Sequence, residues 1–183
     1  MNTSDDEFDV PADFPQRSIG SGLAGAQPKL SVTKFQGRFY MLGNTPPERH
    51  ARYHWCRDLA EQFVEAARTT RKGKRKDMHE ADILLQYHDR VLAAGWGLEK
   101  AEAGWIFRHV AVVLNWPVPE AILPSTQELR TLAKDVLGPH HEAWWDAPSV
   151  WLDHQRPCEL AQTVAGRRQV WEYLKRVETG TYT

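Results

Sequence analysis

Cysteine is scarce in this chain. There are two in 183 residues, Cys56 and Cys158, far apart and with no CxxC spacing. That argues against a disulfide scaffold and against a cysteine-rich zinc site. An excess of one charge is also missing. Twenty-three Lys and Arg face twenty-four Asp and Glu, for a formal charge of -1. Such a balance excludes binding to nucleic acid by bulk positive charge, though it leaves room for a local basic patch. No apolar stretch approaches the roughly 18 residues that a bilayer span needs. The first thirteen residues are acidic and lack the apolar centre of a signal peptide. The chain therefore reads as cytoplasmic, with no membrane partner. No repeat with a period of about 20 to 50 residues is visible.

Tryptophan, by contrast, is abundant, with eight residues. It buries a large area while donating one hydrogen bond, so it suits small cores and protein interfaces. Residues 1–17 read as an acidic, disordered tail, with Asp5, Asp6, Glu7, Asp9 and Asp13 alongside Pro11 and Pro15. A loop rich in glycine follows, with Gly20, Gly22 and Gly25. Residues 29–35 and 38–42 then alternate around Gln36-Gly37, which predicts a β-hairpin. From Pro46 onward the pattern is helical. Tyr53, Cys56, Leu59, Ala60, Phe63, Val64 and Ala67 form one stripe at three- and four-residue steps. Further helices are expected over 77–94 and 99–116. Pro117, Pro119 and Pro124 predict a stiff linker over 119–124. Beyond it, Ser125 and Glu128 have the spacing of a capping box, with a helix end at Gly138-Pro139. Short helices are expected near 140–145 and 157–163, and a last one over about 166–179, closed by Gly180.

Four groups of residues invite a chemical reading. His50 and His54 stand four apart on the first helix, so both rings could face one metal. No third ligand and no glutamate after His50 accompany them, so a polar helix face is the reading kept and no metal is assigned. His140 and His141 lie near Glu142 and Asp146, where a general base is conceivable. The glycine loop lacks the GK[ST] of a phosphate-binding loop, and it does not lead from a strand into a helix. Arg68, Arg71, Lys72, Lys74, Arg75 and Lys76 form a basic run that could grip phosphates. No aromatic residues are interleaved for stacking on bases. No nucleophile–base arrangement is legible, so no catalytic residue and no cofactor is expected.

The last third carries a more specific pattern. Leu137-Gly138 is followed by Ala143, Trp151-Leu152, Pro157, Glu159-Leu160, Thr163, Gly166, Val170, Leu174 and Val177-Glu178, then Gly180. In order and spacing, residues of about 127–183 resemble the toxin-binding domain of the Xre/MbcA/ParS antitoxins. The apolar members of the pattern fall on packed helix faces, and Pro157, Thr163 and Gly180 fall at helix ends. Exposed positions left for a partner are Arg167, Arg168, Arg176, Glu178, Thr181 and Tyr182. The resemblance implies a bacterial toxin–antitoxin system in which this domain binds a RES-type toxin that consumes NAD, with the C-terminal end obstructing the toxin's active site. That family usually carries an N-terminal helix-turn-helix that binds DNA. No such turn can be placed in residues 77–116, where Gly95-Trp96-Gly97 is the nearest candidate. Residues 22–39 are also similar to the glycine-rich hairpin of HipA-like kinases. The chain lacks the catalytic aspartate motifs that phosphoryl transfer would require.

The expected fold is mainly α with one N-terminal β-hairpin, an α+β chain with two small helical domains, at 18–118 and 125–183. The expected function is an antitoxin-like inhibitor, not an enzyme, whose partner is a cognate toxin protein. A regulator that binds nucleic acid through residues 68–76 is the alternative. A small enzyme using His140 or His141 is the third reading. DNA and a second copy of the chain remain open as partners.

Overall fold

The computed structural model describes residues 8–11, 13–17, 32–73 and 75–180. Strands β1 (Val32–Phe35) and β2 (Arg38–Met41) form an antiparallel hairpin, with Val32 opposite Met41 and Phe35 opposite Arg38. Gln36 and Gly37, the two turn residues, have φ of 45° and 81°. A tight two-residue turn of the hand that matches strand twist requires positive φ at both positions, and glycine adopts it without cost. At its described end the hairpin stops at Met41, one residue before the expected 42. Residues 29–31 lie outside the described residues, as does the glycine loop.

Among the described residues seven α-helices follow: α1 (Pro46–Lys72), α2 (Glu80–Ala93), α3 (Lys100–Leu114), α4 (Thr126–Leu137), α5 (His141–Asp146), α6 (Pro157–Leu160) and α7 (Val164–Glu178). The start of α1 is fixed by proline in its first turn and by Glu48. Its carboxylate accepts from the Thr45 amide at 3.0 Å and from the Thr45 hydroxyl at 2.6 Å. Helix α2 begins three residues later than the apolar pattern suggests, because the His79 ring takes the Ala81 amide and acts as the cap. Asn115 ends α3 in the left-handed region with φ of 54°, a conformation that asparagine tolerates better than most residues. The expected box at α4 is present. Glu128 N donates to Ser125 Oγ at 3.2 Å, and Ser125 N donates to Glu128 Oε2 at 2.8 Å.

The apolar stripe of α1 packs Cys56, Ala60, Val64 and Ala67 into the core against α2 and α3. Helix α7 lies on α4 and α6. Buried side chains form one cluster that runs from Cys56 in α1 to Leu174 in α7. It passes through Val118, Ile122 and Leu123, in and beside the proline-rich stretch read as a linker. Residues 120–122 there make a single 3-10 turn. Residues 13–17 lie within the tail expected over 1–17 and make contacts with the helices. Phe14 is 2% exposed and packs edge-on to Tyr53 and Trp105, at centroid distances of 5.6 and 5.2 Å. One buried aromatic side chain is worth on the order of 2–3 kcal/mol, enough to hold a short segment that composition alone marks as polar.

Candidate partner-binding surface

The C-terminal third is built around α7. Its inner face carries Val170, Trp171, Tyr173 and Leu174, opposite Leu129, Leu132 and Ala133 of α4. Trp145 from α5 is buried, and Trp144 stacks on Tyr173 with centroids 5.4 Å apart and an interplanar angle of 14°. Trp151 behaves differently and is 64% exposed, beside Val150 at 70%. The two sit on a turn whose ends are joined by Ser149 N donating to Gln155 O at 3.1 Å, with Leu152 inserted into the core. Asp153 and His154 complete it with φ of 53° and 59°.

The step from α6 to α7 is close-packed. Thr163 Oγ1 accepts from Gly166 N at 3.0 Å and caps α7. A Cβ at position 166 would collide with the backbone of Leu160, so this glycine is required for contact between two backbones rather than for a special φ. Gly180 does take positive φ, 66°, and its amide donates to Val177 O at 3.1 Å, which closes the helix.

The positions expected to face a partner do not form one uniform set. Arg176 and Glu178 are exposed near the end of α7, and Glu178 pairs with Lys175. Arg167 is half-buried at the helix start. Arg168 is turned inward, its Nη2 donating to Val118 O at 2.8 Å. Thr181 and Tyr182 lie outside the described residues. Sequence reasoning passed over Lys175. Its Nζ donates to Asp13 Oδ2 at 3.0 Å, across 162 positions of chain. Burial lowers the tendency of Lys175 to carry charge, but Asp13 and Glu178 outweigh it and hold the amine protonated above its usual range.

The basic run is largely committed to neighbours. Arg68 pairs with Glu65 at 2.6 Å and Arg71 with Glu80 at 3.4 Å. Arg75 Nη1 donates to Gln86 Oε1 at 2.6 Å. Lys72 and Lys76 are exposed, and Lys74 lies outside the described residues. His50 and His54 do meet, with their Nε2 atoms 2.9 Å apart, one donating to the other. Among the described residues, no group of three or more His, Cys, Asp or Glu is arranged to hold a metal. His141 is held by its neighbours, Nδ1 at 2.9 Å from Gly138 O and Nε2 at 3.1 Å from Glu142 Oε1. His140 is exposed beside it.

Two buried charges were not legible from the sequence. Glu102 is 1% exposed, and both its oxygens accept from Arg52, at 2.7 and 2.8 Å. Arg108 is 7% exposed and donates to Ile122 O at 2.9 Å and to Glu128 at 3.4 Å. The spacing Glu99-x-x-Glu102 was the one local signal, since it is that of a helix cap. Both groups join elements. Among the described residues, no helix is long and apolar enough to cross a membrane.

Comparison with curated proteins and with solved structures finds no match. Residues 132–180, from the middle of α4 to the glycine that closes α7, match the model of the antitoxin Xre/MbcA/ParS C-terminal toxin-binding domain.

Proposed function

We propose that this chain is an antitoxin-like protein that binds a partner toxin through its C-terminal helices and blocks it sterically. The observation that carries this reading is that the matched stretch, residues 132–180, takes in the second half of α4 and the helices α5 to α7 that pack with it, up to the glycine that closes α7. The partner is a RES-type toxin that consumes NAD, and the end of α7 with the residues after it forms the occluding element. Arg176 and Glu178 are the exposed charges that flank that element. Arg68 and Arg71 pair with Glu65 and Glu80, which offsets part of the charge that the nucleic-acid reading would use.

The test is capture and inhibition. The full chain, one ending at Pro124 and one lacking residues 180–183 serve as baits in the native host. One small protein should co-purify with the full chain and not with the chain ending at Pro124. Expressed alone, that protein should deplete NAD. The chain lacking residues 180–183 should lose inhibition. Full inhibition by that shortened chain would remove the occlusion mechanism. Capture of nucleic acid alone, lost between low and moderate salt, would replace the antitoxin reading.

A further inference from the structure

Helices α3 and α7 do not form a packed pair, because α3 lies on α1 and α2 while α7 lies on α4 and α6. One side chain nevertheless bridges them. Asp13 Oδ1 accepts from Trp105 Nε1 of α3 at 3.0 Å, and Asp13 Oδ2 accepts from Lys175 Nζ of α7 at 3.0 Å. Both partners of the ion pair are shielded, with Asp13 at 20% and Lys175 at 25% side-chain exposure. A charge-assisted hydrogen bond in such a setting is stronger than an exposed one.

The segment that carries Asp13 is itself fastened to the N-terminal helices. Phe14 is buried between Tyr53 and Trp105, and its carbonyl accepts from Arg49 Nη2 at 3.0 Å. Arg17 N donates to Asn44 Oδ1 at 2.8 Å, Asn44 Nδ2 returns a bond to Arg17 O at 3.0 Å, and Arg17 pairs with Glu99 at 3.3 Å. Asp13 thus projects from an anchored strap. At the other end of α7, Arg168 is tied to Val118 O. The last helix is held at both ends by parts of the chain outside the matched stretch.

We infer that Asp13 is a positioning residue: by holding Lys175 against α3, the N-terminal strap sets where the last turns of α7 and the residues after them are presented. The consequence for inhibition rests on the function proposed above, whereas the holding itself does not.

Amide hydrogen exchange on the full chain tests the holding without any partner. Asp13→Asn keeps an acceptor for Trp105 and removes the charge, and Lys175→Met removes the other end. Each should speed exchange of amides 176–180 roughly tenfold while those of α4 stay protected. The double variant should do no more than Lys175→Met alone, because that change already removes the contact with Asp13. Unchanged exchange at 176–180, additive effects, or an equal loss of protection in α4 would overturn the inference. In the inhibition assay, Asp13→Asn should still capture the toxin but inhibit it several-fold less well. Undiminished inhibition beside faster exchange would refute the link to presentation. A wild-type chain that captures no toxin would refute the proposed function and leave the exchange result to stand by itself.

Discussion

Single residues in this protein show how little a residue type says until its neighbours are known. Gly166 lies in the first turn of the last helix, and its role is to let the backbone of α7 approach that of α6. A methyl group there meets the Leu160 carbonyl, which is backbone and has no rotamer to yield. Gly166→Ala should therefore destabilise the chain by about 2–3 kcal/mol or more, despite alanine's better helix propensity. Urea unfolding of the variant measures it, and a neutral or stabilising effect would show that the two backbones can part cheaply. Tryptophan carries the same lesson. Trp144, Trp145 and Trp151 fall within eight positions and have three different fates, stacked on Tyr173, buried, and exposed.

At the scale of elements, caps and stripes were legible because their causes are local. The Ser125–Glu128 box, the Pro46 start, the Gln36-Gly37 turn and the α1 stripe all appear where side-chain chemistry within four residues requires them. What joins the elements was not legible, because it depends on pairs far apart in the chain. Arg52 on α1 and Glu102 on α3 are fifty positions apart. Glu102 loses solvation on burial, which raises its pKa, but Arg52 and the Glu99 amide more than offset this and hold the carboxyl below its ordinary value of 4.5. A depressed folded pKa means stability that is present above the ordinary value and lost as pH falls through the folded one. Glu102→Gln should cost about 3 kcal/mol or more at neutral pH, since it leaves Arg52 without its counter-charge. The gap to wild type should narrow as pH drops below about 4.5, because the unfolded chain takes up a proton that the native Arg52-paired carboxyl resists, and the narrowing ends once the native carboxyl protonates too. Urea unfolding at pH 7 and pH 4 checks this, and a gap that widens on acidification would contradict the assignment of Arg52 as its partner.

At the scale of the whole molecule, the proline-rich stretch poses the sharpest question. Read by composition, residues 119–124 are a linker between two small helical domains. Physically, the same stretch inserts Ile122 and Leu123 into the cluster shared by both halves. It also lends backbone carbonyls to charged side chains on either side, Ile122 to Arg108 and, just before it, Val118 to Arg168. Cutting the halves apart would leave a guanidinium of each without its acceptor and would expose part of the core. Cooperativity follows when the interface between units contributes as much as the units themselves. Urea denaturation followed by tryptophan fluorescence and by far-UV circular dichroism should therefore give coincident single transitions. The probes are well distributed for this, since Trp105 reports on α3 and Trp145 and Trp171 report on the C-terminal helices. Leu123→Ala, at the junction, should lower the common midpoint without splitting it, at a cost of roughly 2–3 kcal/mol. Two separated transitions, or a Leu123→Ala effect confined to one probe, would support the two-domain division instead. The last helix would then be positioned by its own module alone, with the Asp13 strap as a tether between independent units.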